Sequence, residues 1–184
     1  MIKRPFRMTL IFICLFSFFL SACSDSEDIS PGGEAGDRSP ESEIQANLPK
    51  NDEKITISQG VWGNVWFWEG NHMPTLDENP VSGTITPVER EIYIHEATTI
   101  HDVSSAQDYS FYSEIHTPLM ATTVSDADGF FQASLQPGSY SVFVKENNLF
   151  YAASFSGTGE INPVTVRQDT VQKVQVDITY QATF

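Results

Sequence analysis

The chain has 184 residues, and its 24 Asp and Glu residues outnumber its 10 Lys and Arg residues, which gives a formal net charge of −14. Because 40% of the residues are hydrophobic and 12% are aromatic, the chain is able to bury a core, and disorder over its whole length is excluded. So acidic a protein lacks the basic surface that nucleic acids and anionic membrane surfaces require, and neither is an expected partner.

Residues 1–22 are predicted to be a signal peptide that is removed. Three basic residues precede an apolar run over residues 10–20, which suits the hydrophobic region of a signal and is short for a membrane span. The run ends in Leu20-Ser21-Ala22-Cys23, which resembles the lipobox of bacterial lipoproteins. The alternatives are an ordinary secretory signal and an N-terminal transmembrane helix.

The resemblance to a lipobox implies that Cys23 is acylated and becomes the first residue of the mature chain. Each buried CH₂ of an acyl chain contributes roughly 0.8 kcal/mol to membrane binding, so several chains make a stable anchor. The other of the two cysteines, Cys14, lies within the predicted signal, which leaves the body of the chain without a disulfide. We therefore expect an outer-membrane lipoprotein of a bacterial cell envelope, whose membrane partner is reached through acylated Cys23.

Residues 23–54 are predicted to be the lipidated N-terminus and a flexible acidic linker. Acidic residues outnumber basic ones there, and Pro and Gly recur throughout, a composition that does not support a packed core. Its beginning, residues 24–28 (Ser-Asp-Ser-Glu-Asp), resembles the acidic export signal of surface lipoproteins in some Gram-negative bacteria. Display on the outer surface and anchorage facing the periplasm both remain open.

Residues 55–184 have the pattern of an all-β domain. Short runs rich in Val, Ile, Thr and aromatic residues alternate with Gly, Pro, Asn and Asp, and no sustained helical apolar stripe occurs. Such spacing predicts an antiparallel Greek-key β-sandwich of about seven strands, with residues 100–113 as a long polar loop. The predicted strands cover residues 61–68, 91–95, 120–124, 129–135, 139–145, 149–155, 164–166 and 174–180.

Two segments in the middle of the chain carry a family resemblance. Residues 126–131 (Asp-Ala-Asp-Gly-Phe-Phe) and 135–144 (Leu-Gln-Pro-Gly-Ser-Tyr-Ser-Val-Phe-Val) resemble the core hairpin of carboxypeptidase regulatory-like (transthyretin-like, prealbumin-like) domains. Asp128-Gly129 suits a tight hairpin in which glycine takes a positive φ, and Pro137-Gly138 suits the next turn. The resemblance implies a transthyretin-like sandwich that serves as a non-catalytic binding or scaffolding module.

A related branch of that fold is a hydrolase, and this chain departs from it. The branch uses His and Arg residues and a C-terminal Tyr-Arg-Gly-Ser, whereas here Tyr180 is followed by Gln-Ala-Thr-Phe. No Gly-x-Ser-x-Gly elbow occurs either. We expect no enzymatic activity and no catalytic residues, with the hydrolase as the least favoured alternative.

No metal or other cofactor is expected. The four histidines show no His-x-x-x-His spacing, and the chain lacks a zinc-ligand pattern. The segment that begins at Asp126 shares its first residues with a calcium loop, but Pro137 stands where that loop closes with Glu.

The most unusual segment, residues 61–74, contains all three tryptophans of the chain. Strand alternation places Trp62, Asn64, Trp66 and Trp68 on one face, where indoles either stack on sugar rings or fill the sandwich core. We expect a recognition site at the end of this strand, in the loop Glu69–Pro74. Its partner is a glycan or a protein, and its candidate ligand-binding residues are Trp68, Glu69, Asn71 and His72.

Overall fold

The computed structural model describes residues 47–73, 83–106, 108 and 110–184. The predicted signal peptide and most of the predicted linker, with Cys23, lie outside the described residues. Within the described part no helix is long and apolar enough to cross a membrane. In the described ranges a single 3-10 turn, Asp52–Lys54, precedes eleven strands. They are β1 (Gly60–Asn71), β2 (Thr84–Pro87), β3 (Glu91–Glu96), β4 (Val103–Ser105), β5 (Phe111–Ile115), β6 (Leu119–Val124), β7 (Phe130–Ser134), β8 (Gly138–Glu146), β9 (Leu149–Tyr151), β10 (Pro163–Val166) and β11 (Val171–Thr183).

The strands form two sheets, which confirms the predicted all-β sandwich. The first sheet has the order β11-β1-β2, and β7 pairs with the other half of the β1 edge that β2 occupies. The second sheet has the order β4-β5-β9-β8-β3-β6, and β10 pairs with β8. Among these eleven described strands all pairings are antiparallel except one: β1 runs parallel to β11, with Gly60 opposite Val171. Parallel strands require a long connection. Here the connection from β1 to β11 contains all the other strands of the domain.

Three strands lie where the sequence did not predict them. β2 was not predicted, and β4 and the first residues of β5 fall within residues 100–113, so the prediction of a long loop there was wrong. β4 has only three residues, two of them serine, and its pattern alone does not distinguish it from a loop. β5 begins with two buried aromatic residues, Phe111 and Tyr112. Because neighbouring side chains of a strand point to opposite faces, Phe111 packs in the main core and Tyr112 in a second cluster.

The main core lies between the two sheets and contains the residues that alternation assigns to one face of each strand. Val61, Val65 and Phe67 of β1 contribute to it from the first sheet. The predicted inward face of the last strand is also confirmed. It contributes Val174, Val176 and Ile178, with Tyr180 packed against them. Residues between these positions point away from the core.

The two turns that carry the family resemblance join different sheets. β6 and β8 belong to the second sheet and β7 to the first, so the prediction of a tight hairpin at Asp128-Gly129 was wrong. Gly129 has the expected positive φ of 76°, and a Cβ there would lie 2.6 Å from the Val65 carbonyl oxygen. Gly138, by contrast, does not have a positive φ. At both turns the chain therefore crosses from one sheet to the other, whereas a hairpin would join neighbouring strands of the same sheet.

A buried ion pair links the two sheets at one end of the sandwich. Glu146 of β8 is 4% exposed, and its carboxylate accepts a hydrogen bond from the Arg90 guanidinium. The Tyr180 hydroxyl, from β11 in the other sheet, donates to the second Glu146 oxygen at 3.0 Å. A buried carboxylate is tolerated only when it is paired and hydrogen-bonded. The three side chains therefore fix how these parts of the sheets meet.

Removing the cation should destabilise the sandwich. Because Arg90→Met leaves the Glu146 charge buried without its cation, we expect the free energy of unfolding to fall by about 3 kcal/mol. Urea denaturation measures this change. The matched control is Arg167→Met, because Arg167 is exposed, and it should change the free energy by less than about 0.5 kcal/mol. Equal stability of the Arg90 and Arg167 variants would contradict the assignment.

Candidate functional site

The three tryptophans lie on the face of β1 that points away from the sandwich core, which we call the outer face of the first sheet. Alternation places Trp62, Trp66 and Trp68 opposite the core residues of β1, and Trp66 and Trp68 form a separate apolar cluster with Ile85. Sheets packed on one side usually present polar residues on the other. A row of indoles there is therefore a specific feature of this chain.

A strap, residues 48–54, lies across this outer face. Leu48 packs on the tryptophan cluster. Asn51, which is 2% exposed, donates from Nδ2 to Asn64 Oδ1 at 2.7 Å and to the Asp128 carbonyl oxygen at 2.9 Å. At the end of the strap, the Lys54 ammonium forms ion pairs of 2.7 Å with the carboxylates of Asp126 and Asp128. These residues, which the sequence assigns to the linker, contact the sandwich.

A cavity of about 410 Å³ lies between the strap and the outer face. Its volume falls within the range of roughly 300–1,000 Å³ that small-molecule sites occupy. Apolar indoles, amides, two lysines and an aspartate line it together, which is the mixture that such sites use for contact and orientation. We call it the tryptophan cleft, and it is lined by Leu48, Pro49, Lys50, Asn51, Asp52, Trp62, Asn64, Trp66, Trp68, Lys173 and Gln175.

β11 supplies the polar side of the cleft. The Lys173 ammonium lies 5.0 Å from the centroid of the Trp62 ring, a cation–π distance. Gln175 donates from Nε2 to both Asp177 carboxylate oxygens at 2.9 Å. Trp68 donates from its indole Nε1 to Asp177 Oδ1 at 3.0 Å. These contacts hold the amide and the indole in place beside the cavity.

The carboxyl of Asp177, which contacts the cleft residues Gln175 and Trp68, has a perturbed pKa. Burial raises the pKa of its carboxyl, and the hydrogen bonds from Gln175 and Trp68 partly oppose that shift because they favour the ionised form. Trp68 therefore donates a hydrogen bond to a carboxyl group whose ionised form is disfavoured by burial.

The predicted recognition residues are brought together in part. Trp68 is 6% exposed and His72 is 4% exposed, and their ring centroids are 5.0 Å apart, with Phe184 packed against both. His72 Nε2 is 3.2 Å from the Glu69 carbonyl oxygen, and no partner of Nδ1 is found among the described residues. The side chain of Asn71 accepts a hydrogen bond from the backbone N–H of Met73. Only Trp68 of these four residues lines the cleft.

The alternative in which the tryptophans fill the core between the sheets was wrong. Trp62, Trp66 and Trp68 are 8%, 4% and 6% exposed, so they are buried, but beneath the strap and not between the sheets. Sequence reasoning missed the strap and the residues Lys173 and Gln175. The alternation of β11 placed Gln175 outward, but nothing local indicates that β11 lies beside β1.

The acidic turn that resembles a calcium loop is occupied by the chain itself. Asp126 Oδ1 accepts from the backbone N–H groups of Asp128 and Phe130 at 2.9 and 3.0 Å. The remaining oxygen of Asp126 and one oxygen of Asp128 bind the Lys54 ammonium. No cluster of three or more His, Cys, Asp or Glu side chains suited to a metal occurs in the described ranges.

Comparison with known proteins finds no matching family model, no similar curated protein and no similar solved structure. The resemblance to carboxypeptidase regulatory-like domains and to bacterial lipoproteins stays a prediction. The geometry of the outer face is what bears on function.

The perturbed acid predicts a specific pH dependence. A carboxyl whose pKa is raised on folding adds stability below its ordinary pKa of about 4, and that stability is lost as the pH rises through the raised value. The variant Asp177→Asn has no such loss, so its stability relative to the wild type should increase between about pH 3 and pH 7. Thermal denaturation across this range measures the difference. A constant difference between the two proteins would contradict the raised pKa.

Proposed function

We propose that this chain is a non-catalytic binding module of a bacterial cell envelope, anchored through acylated Cys23, whose ligand site is the tryptophan cleft. The observation that carries the proposal is the cavity of about 410 Å³ on a sheet face lined by Trp62, Trp66 and Trp68. A sheet that only needed to cover its core would have polar residues there. The indoles instead form an apolar floor with amides and two lysines beside it.

Carbohydrate is the ligand class that this lining favours. Indole rings offer flat apolar surfaces for the C–H face of a sugar, and buried indoles contribute large contact areas. Gln175 and Lys50 bring polar groups to the same cavity. Because Gln175 Nε2 donates to Asp177, its Oε1 is the atom that accepts from a sugar hydroxyl group, and the Lys50 ammonium donates. The cavity volume of about 410 Å³ suits one or two sugar rings and not a long chain.

Tryptophan fluorescence gives a selective test because all three tryptophans of the chain belong to the cleft. We expect a sugar identified on a glycan array to shift or quench the emission on titration. Gln175→Ala should weaken binding at least about tenfold, which corresponds to the loss of one good hydrogen bond. Gln172→Ala, on the same strand but outside the cleft, should leave the affinity unchanged.

Two results for a sugar that binds would contradict the assignment of the cleft as its site. One is binding to the array without any change in emission, which would place the ligand elsewhere on the protein. The other is an equal loss of affinity in the Gln175 and Gln172 variants, which would indicate an indirect effect. Binding of no sugar at all would remove carbohydrate as the ligand class.

The anchor has its own test. Cys23→Ser removes the thiol that acylation requires, so we expect the variant to lose incorporation of labelled palmitate and to leave the membrane fraction. Cys14→Ser is the matched control, because Cys14 lies within the predicted signal and should not affect labelling. Labelling of the Cys23 variant equal to that of the wild type would contradict the lipoprotein assignment.

A further inference from the structure

We propose that the sugar bound in the tryptophan cleft carries a negative charge, as a carboxylate on its ring, and that Lys50 and Lys173 select it. This inference rests on the proposed function, because it names the class of sugar that the same cavity takes. The two lysines line the cavity from distant parts of the chain, Lys50 from the strap and Lys173 from β11. A ligand in the cleft therefore meets an ammonium group from each of its two walls.

Neither lysine is neutralised by an acid of the described chain. The ion pairs among the described residues have only Lys54 and Arg90 as their bases. Lys50 and Lys173 are exposed to solvent, and Lys173 lies over the Trp62 ring, a contact that leaves its charge available to an anion. Two ammonium groups without a carboxylate partner at one cavity are a donor set for an anion.

The pairing of β11 with β1 explains why Lys173 is at the cleft. In this register Lys173 lies opposite Trp62, and Gln175 lies opposite Asn64. Residues two apart on a strand share one face of the sheet, so the lysine and the glutamine stand side by side along the row of indoles. The ammonium group is thus held next to the amide that accepts from a sugar hydroxyl group.

The amides of the cleft give different atoms to the ligand. Asn64 accepts from Asn51 through Oδ1, so the group that it has left is Nδ2, a donor. Gln175 donates through Nε2 to Asp177, so the atom that it has left is Oε1, an acceptor. A sugar hydroxyl group can donate to Gln175, whereas a carboxylate only accepts and therefore suits Asn64 and the two ammonium groups.

The charge of the lining matches one negative charge on the ligand. Its charged residues are two lysines, Lys50 and Lys173, and one aspartate, Asp52, so the lining has a net positive charge. Both oxygens of the neighbouring Asp177 carboxylate already accept hydrogen bonds from the protein. The chain as a whole carries −14, and charges farther away than about 8 Å are largely screened at physiological salt. The cleft is therefore a local site for an anion on an acidic protein.

The size of the cavity favours a carboxylate as the anionic group. A volume of about 410 Å³ takes one or two rings, and the carboxylate of a uronic acid replaces the hydroxymethyl group of the neutral sugar without lengthening it. A phosphate ester is bulkier and carries close to two negative charges at neutral pH, more than the lining balances. A uronic acid and its neutral sugar therefore form a matched pair of probes that differ mainly in charge.

The test uses the full chain in detergent and titrates it with methyl glucuronide and methyl glucoside, and with the corresponding galacto and manno pairs. Isothermal titration calorimetry measures the affinities, and tryptophan emission reports whether the ligand is in the cleft. In the pair that binds best, the charged sugar should bind at least about tenfold more tightly, because hydrogen bonds to charged groups are stronger than neutral ones. Added salt should weaken binding of the charged sugar and leave that of the neutral sugar unchanged.

Lysine variants assign the preference to the cleft. Lys173→Met removes the charge and keeps an unbranched side chain beside Trp62, and the double variant with Lys50→Met removes both charges. The double variant should reduce the preference for the charged sugar to less than about threefold. Arg167→Met is the matched control, because it removes one exposed positive charge outside the cleft, and it should keep the full preference. Thermal denaturation checks that all variants are folded.

The outcomes separate this inference from the proposed function. Equal binding of the charged and neutral sugars, or a preference that survives in the double lysine variant, would overturn the inference and leave the carbohydrate site in place. An equal loss of preference in the Arg167 variant would also overturn it, because the effect would then be that of total charge. Binding of neither sugar in any of the pairs would overturn the inference together with the carbohydrate site.

Discussion

The fold depends on β1, because this strand is paired along both edges and buried on both faces. One face of β1 packs in the core between the two sheets. The other face, the outer face, presents the three tryptophans beneath the strap. Parallel pairing with β11 requires a close approach at Gly63, where a Cβ would lie 1.9 Å from the Val174 carbonyl oxygen. Glycine is therefore needed in the middle of this strand, although it weakens strands elsewhere.

The local alternation of apolar and polar residues was sufficient to predict the fold class and which side chains of the longest strands point into the core. The alternation of β11 predicted Val174, Val176 and Ile178 inward, and the structure confirms this. It was also sufficient to place the tryptophans on one face of β1. It failed for β4, because three residues are too few to show a period.

The candidate site needed information that no local pattern contains. Lys173 and Gln175 reach the cleft only because β11 lies parallel to β1, and the two strands are separated by most of the domain. The strap resembles the acidic linker in composition, yet Asn51 is held by hydrogen bonds to residues far along the chain. The sequence of the Asp126 turn suits a hairpin, although the turn joins two sheets.

The proposed site depends on the position of the tryptophans on the outer face, under the strap. Nuclear Overhauser contacts from the three indole N–H and ring protons test this most directly, because each tryptophan gives a separate signal. We predict contacts from Trp66 to Leu48 and Ile85 and from Trp62 to Lys173. Contacts from these rings to Ile92 or Val142, which lie in the core between the sheets, would contradict the account.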